Sequence, residues 1–348
     1  MSNVIRHLGF LTPGNFHDDD PFDGLERTLQ LFELGERLGY DSAWVRQRHL
    51  EHGVSSAGIF LAAATQRTSR IELGSAVIQI GYESPWRLAE DLSTVDVLSR
   101  GRLNIGLSAG VPLHADLLGP LVFDGNWRDH DMSHERVIRF ANNLRSEFLG
   151  APDAYIEVPG GRVRPRLQPH ARGLVDRLWY GGGSLRSAGW AGRSGFSLLL
   201  SNVTTGEETD DFFEAQLRQI SAYHEAADHP RIALGRVIVP FDGADPRTRR
   251  KYQDYAARRH ARTLQPNGER RTLFAPDVTG TSEQILDQLS RDSVLSHVEE
   301  LRLELPYEFE QQEYEQIIGD FIAKIAPELG WKGVGAASHF QPSVRVVS

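Results

Sequence analysis

The residues that invite a chemical reading are few and clustered. Gly181-Gly182-Gly183-Ser184 follows a strand-like run and opens a helix-like one. Glycines let the backbone approach an anion, and the free N–H groups of a helix start attract phosphate. Ser184, Arg186 and Ser187 add hydroxyl and guanidinium donors at that turn. A structural reading competes, in which Ser184 simply caps the helix. His49-Leu50-Glu51-His52 has a metal-like spacing and His17-Asp18-Asp19-Asp20 is an acidic cluster. Neither comes with a closing ligand set, so no metal site is expected. His130-Asp131 lies in a loop before Ser133, where it caps a helix or lines a pocket.

These side chains need elements to hold them. The 348-residue chain is 40% hydrophobic and 24% charged, with no cysteine and a net charge of -9. Disulfides, thiolate metal sites and a Cys nucleophile are therefore excluded. The acidic balance argues against a general nucleic-acid or anionic-membrane binder. Mean hydropathy is -0.37. No apolar run approaches the length of a membrane span, and the first residues lack a leader-like apolar core. A cytoplasmic protein is the expectation.

Apolar runs alternate with amphipathic ones. Strands are expected at 4–11, 42–45, 71–80, 103–107, 177–181, 196–201, 232–239 and 301–305. Helices are expected at 24–38, 59–66, 85–98, 133–148, 184–193, 207–227 and 314–325, with two more and no strand between 245 and 295. Pro85 suits a first helical position, where its missing N–H costs nothing. Thr281-Ser282-Glu283-Gln284 is a capping box. Eight strands each followed by a helix predict an α/β fold, a (β/α)8 TIM barrel, with insertions near 110–130, 150–176 and 245–295. One barrel domain is expected over 1–330 and a C-terminal extension over 331–348. A doubly wound open sheet would want Gly-x-Gly-x-x-Gly after the first strand, which is missing. In a barrel, Asn15, Ala76, Ser108, Ala109 and Ser184 should converge around one cavity, since each sits at or just beyond a strand's C-terminal end.

Three stretches resemble the bacterial luciferase-like family of flavin-dependent monooxygenases. They are Gly39 to Leu50, Thr65 through Ser84-Pro85-Trp86 to Leu103, and Trp179-Tyr180-Gly181-Gly182-Gly183-Ser184 continuing to Gly195. The resemblance implies a TIM barrel with a flavin at the strand ends. It implies reduced FMN, supplied by a separate, transiently bound flavin reductase, and molecular oxygen acting on a small-molecule substrate. Deazaflavin hydride transfer and flavin binding without turnover are the alternatives. It implies a cis peptide at Ala76–Val77 against the flavin ring, phosphate contacts from Gly182, Gly183, Ser184 and Ser187, and further cofactor contacts from Ser108 and Ala109. Luciferase has a phosphate-binding Arg where this chain has Ala109, leaving Arg186 as the nearest substitute. The family usually carries Glu-His-His after the second strand, and the first His is catalytic. Here the residues are Gln47-Arg48-His49. Arg48 stands in that place, and a guanidinium cannot serve as a base but can hold an anionic oxygen. A salt bridge to Glu51 or Glu83, with no direct part in chemistry, is the competing reading. His49 is then the candidate acid or base, and Asn15, Trp44 and His130 the candidate substrate pocket. Relatives of this kind are commonly homodimers, and the apolar residues Ile59, Phe60, Leu61, Leu88, Leu92 and Val95 offer helical faces for one.

Overall fold

A computed structural model describes residues 4–333. Eight parallel strands close into a barrel. They are β1 (His7–Thr12), β2 (Ser42–Val45), β3 (Glu72–Gln79), β4 (Leu103–Ser108), β5 (Leu178–Gly181), β6 (Ser197–Leu200), β7 (Ile232–Arg236) and β8 (Glu300–Glu304). Each pairs with its chain neighbour, and β1 closes on β8 with Leu11 opposite Glu304. The helices are α1 (Pro21–Leu38), α2 (Ala57–Thr65), α3 (Pro85–Ser99), α4 (Ala115–Val122), α5 (His134–Leu144), α6 (Leu185–Arg193), α7 (Phe212–His224), α8 (Pro246–His260), α9 (Ser282–Ser290) and α10 (Gln311–Asp320). No helix among the described residues is long and apolar enough to cross a membrane.

Local chemistry explains the boundaries. Asp20 accepts the Asp23 N–H and Pro21 occupies the first turn of α1. Gly39, at φ 98°, ends that helix in the left-handed conformation glycine tolerates. Thr281 and Gln284 form the expected capping box of α9. At the N-terminal end of the barrel, Arg177 grips the buried Asp96 carboxylate at 2.7 and 3.0 Å and the carbonyls of Gly101 and Leu103. That fixes the start of β5 against α3.

Alternate strand residues point inward, and two tryptophans dominate the interior. Trp44 from β2 and Trp179 from β5 meet edge to face with ring centroids 5.9 Å apart. Trp44 Nε1 donates to Ser42 Oγ at 2.8 Å and Trp179 Nε1 to Asn104 Oδ1 at 3.0 Å, so neither indole N–H is orphaned. Gly74 faces Trp44, where an added Cβ would overlap the ring. The guanidinium of Arg302 lies 4.6 Å from the Trp44 ring, and that of Arg231 lies 4.5 Å from the Trp179 ring.

The structure amends two expectations. Between α8 and α9 two short strands appear, 272–274 and 278–280, each paired with a strand extension just beyond the barrel. Three residues apiece are too short to show a period. The faces offered for dimerisation are largely consumed inside the chain: Phe60, Leu61, Leu88, Leu92 and Val95 are buried, and Ile59 alone of that set is exposed, at 72%. Of the extension expected at 331–348, residues 334–348 lie outside the described residues; Trp331 donates its Nε1–H to Asp41 at 2.8 Å.

Replacing Gly74 by Ala forces a methyl into the Trp44 ring. The expected cost is about 1–3 kcal/mol, as for other overpacked cores. It should appear in urea unfolding as a lower midpoint at unchanged slope; equal midpoints would mean the indole pair can shift freely.

Candidate active site at the barrel mouth

Above the indole pair the strand ends enclose a cavity of about 340 Å³. Its floor is apolar, because Ala76 and Val77 pack against the cluster of Leu11, Trp44, Trp179 and Leu199. The Ala76–Val77 peptide bond is cis. The β3–β4 register shifts between Ser75 and Ile78, so those two residues leave the ladder and face the cavity. Gly181, Gly182, Gly183 and Gly235 line much of the wall. A Cβ at Gly181 would stand 3.1 Å from the Val77 side chain, so the glycine keeps this wall open.

Charge enters from β2 and β8. Arg46 donates to Tyr307 Oη at 2.7 Å and to Glu304 Oε2 at 3.2 Å. Arg302 is buried, at 4% exposure. It makes one long bond, from Nη2 to the Ala233 carbonyl at 3.4 Å, and its Nε and Nη1 have no partner. Burial pushes its pKa down to about 10, which still leaves a cation at neutral pH. Arg48 lines the same cavity, and its guanidinium stands 3.8 Å from Glu51. Its backbone N–H, bonded to the Val54 carbonyl at 2.9 Å, anchors the loop.

The glycine-rich turn opens α6 as expected. Ser184 and Ser187 form a reciprocal capping box: Ser184 Oγ accepts the Ser187 N–H at 3.1 Å and Ser187 Oγ accepts the Ser184 N–H at 3.0 Å. The next N–H, of Leu185, donates to Glu207 at 2.5 Å. A carboxylate from the loop after β6 therefore already stands at this helix start. Arg186 is exposed. Ser108 and Ala109 follow β4. Ala109 N–H donates to Tyr180 Oη at 3.2 Å, and that hydroxyl lies 2.9 Å from His134 Nε2. Burial, helped by the charge of Arg186, lowers the His134 pKa.

Comparison with known proteins places this geometry. The model of the family described as luciferase-like monooxygenase matches residues 6–296. The chain belongs to the luciferase-like monooxygenase family. Limonene 1,2-monooxygenase of Rhodococcus erythropolis is 32% identical over 155 residues, which is 43% of this chain and 40% of that relative. The chain thus matches less than half the length of that relative. The monooxygenase RslO1 from Streptomyces bottropensis superposes with a TM-score of 0.69 at 19% identity, covering 92% of this chain and 99% of that one. The FMN complex of the oxygenating constituent of 3,6-diketocamphane monooxygenase from Pseudomonas putida gives 0.64 at 14%, covering 94% and 99%. At such identities the likeness is one of fold.

Within this luciferase-like barrel the sequence-derived residues divide. Arg48, Ala76, Val77, Gly182 and Gly183 line one cavity. Ser108, Ala109, Ser184 and Ser187 stand at the same barrel end without lining it. Asn15 lines a neighbouring cavity, where it donates to the Tyr307 carbonyl and, at 3.3 Å, to Tyr314 Oη. Trp44 does not line the cavity and packs beneath Ala76 and Val77, which do. His130 packs on Phe123 with centroids 4.4 Å apart, in the insertion before α5. His49 turns away from the mouth: its ring meets the Tyr82 ring edge-on at 4.9 Å and its Nε2 lies 3.3 Å from the Gln47 amide. His52 pairs with Asp18 at 3.0 Å. Sequence reading missed Arg46, Arg302, Glu304 and Glu207. A signal existed for two of them, since Glu300-Leu301-Arg302-Leu303-Glu304 alternates charge with leucine along a strand that must face inward at every second residue.

Burial lowers the His49 pKa. The unfolded chain therefore takes up a proton near pH 6.5 that folded His49 declines. Stability should fall as pH drops through that point. His49→Gln should make the fall shallower, though not flat, because His134 and His170 are shifted the same way. Urea midpoints between about pH 7.5 and 5.5 test this; an unchanged slope in the variant would rule out His49 as a contributor.

Proposed function

We propose that the chain is a flavin-dependent monooxygenase that uses reduced FMN and molecular oxygen to oxidise a small organic substrate, with reduced FMN delivered by a separate reductase. The observation that carries this reading is the barrel mouth itself: a glycine-walled cavity, with Ala76 and Val77 in its lining, beside a buried cation with unpartnered donors. The size lies within the ordinary range for small-molecule sites. When bound, reduced flavin supplies the two electrons that let one oxygen atom of O₂ enter the substrate and the other leave as water.

The chain's own residues supply surroundings for that chemistry. Gly181, Gly182 and Gly183 let a flat ring approach backbone. Leu11, Val77 and Leu199 keep water from the ring face. Arg302 offers a fixed positive charge beside the cavity, suited to an electron-rich ring. Arg48, at the rim, stabilises developing negative charge and moves no proton. Proton transfer falls to another group or to water, since His49 points out of the cavity.

The phosphate end fits with one adjustment. Phosphate would need the Leu185 N–H that Glu207 now accepts. Glu207 is exposed on its loop and can swing aside. Removing its charge should favour phosphate by the usual worth of a charge at a helix start, about two- to fivefold. Glu207→Gln is expected to tighten FMN but leave riboflavin, which lacks the phosphate, unchanged. Equal effects on both flavins would place the phosphate elsewhere.

The activity itself is tested by mixing the protein with anaerobically reduced FMN and then with oxygenated buffer. The reoxidation time course should depart from that of free reduced FMN in proportion to protein. A course identical to free flavin at every protein concentration, or turnover of reduced deazaflavin instead, would overturn the assignment.

A further inference from the structure

A second cavity of about 300 Å³ adjoins the first, sharing Arg46, Arg48, Asn202, Val203 and Glu304 with it. Five arginines line the two together, and their partners separate them by role. Arg46 is held by Glu304 and Tyr307. Arg259 is held by Asp277 at 2.5 and 3.2 Å. Those two are structural. Arg48, Arg262 and Arg302 are not held in this way. Among the described residues Arg48 has only Glu51, at 3.8 Å, and Arg262 only Asp277, at 3.9 Å. Both distances exceed a hydrogen bond. The Arg262 Nε is buried with no partner, and its guanidinium lies 4.3 Å from the Phe274 ring.

Glu51 and Glu304 in the linings, Asp277 against Arg259 and Glu300 near Arg302 are four carboxylates against five guanidiniums, so the mouth is positive in a chain whose net charge is -9. A recessed positive cleft concentrates anions. Leu113, Val237, Phe274 and Leu305 form an apolar part of the upper cavity's wall, beside Asn202, Tyr255 and Tyr307. Desolvated guanidinium donors beside apolar walls fit a ligand with a charged head and an oily body.

We propose that the substrate of this site is an amphipathic organic acid, whose carboxylate is taken by Arg262 with Arg48 facing the same cavity, and whose apolar body extends toward the barrel mouth. The proposal rests on the monooxygenase reading for the step that follows binding. The binding itself is independent of flavin. Arg302, which lines the first cavity only, is left to the ring side. The same guanidiniums could instead hold the phosphate of FMN, and the experiment separates the two sources.

Flavin-free full-length protein is titrated calorimetrically at low salt with benzoate and with benzamide, its uncharged counterpart. Benzoate should bind at least about tenfold more tightly, the usual worth of a charge-assisted hydrogen bond. Arg262→Gln should abolish that preference while leaving FMN and riboflavin affinities unchanged. Equal binding of benzoate and benzamide overturns the proposal, as does a preference that survives Arg262→Gln. A variant that loses FMN affinity but not riboflavin affinity also overturns it, because the cluster then serves the cofactor phosphate while the flavin reading stands. A wild-type chain that binds no flavin yet shows the benzoate preference upholds the anion site and sinks the flavin reading. Should Arg262→Gln unfold, Arg262→Met, which keeps the long side chain beside Phe274 without its charge, carries the same comparison.

Discussion

The edge-to-face contact between Trp44 and Trp179 sets the level at which the barrel stops being core and becomes a site. Two indoles cannot share the interior of an eight-stranded barrel unless facing strands yield space, and Gly74 yields it. Once the indoles are fixed by Ser42 and Asn104, everything inward-facing one layer higher has a floor to stand on. Ala76 and Val77 rest on that floor, and Arg302 lies across the Trp44 ring. A smaller pair would let the cavity sink into the barrel; a larger one would fill it.

The same layer explains why Arg302 is tolerated. A buried guanidinium with two unpartnered nitrogens is costly on its own. The Trp44 ring face offsets part of that cost, and the charges of Glu304 and Glu300 offset more. What remains unsatisfied, at Nε and Nη1, is buried within a residue that lines the cavity. Sites commonly retain such imperfections because a ligand completes them.

Much of this was legible in the sequence, for reasons that differ by residue. The barrel followed from strands and helices alternating with their own periods, and the helix starts at Ser184 and Thr281 from short-range capping chemistry. The placement of Ala76 and Val77 against the cavity came through family resemblance, since no local preference marks a cis bond between two such residues. The strands at 272–280 were too short to show alternation. The helical faces around Leu88 and Leu92 look the same in sequence whether they pack on a partner or on a neighbouring helix, and here α2 and α3 cover each other. Glu207 was illegible, because a loop carboxylate reaching the first turn of α6 is a tertiary event.

Arg48 stands where the resemblance implies a catalytic histidine, and its surroundings suit a permanent charge. A histidine at this rim can carry a proton; an arginine cannot. The following His49 does not take over, because the loop turns its ring onto Tyr82 and Gln47. Meanwhile Arg46 is neutralised by Glu304, and Arg259 by Asp277, whereas Arg48 keeps its partner beyond hydrogen-bond reach. A rim built for proton transfer would need a titratable group near neutral pH aimed into the cavity. This rim offers permanent charge instead. Permanent charge holds an anion in place through every stage of a reaction and is indifferent to pH. A mouth of this kind suits gripping and orienting a negatively charged group better than moving protons.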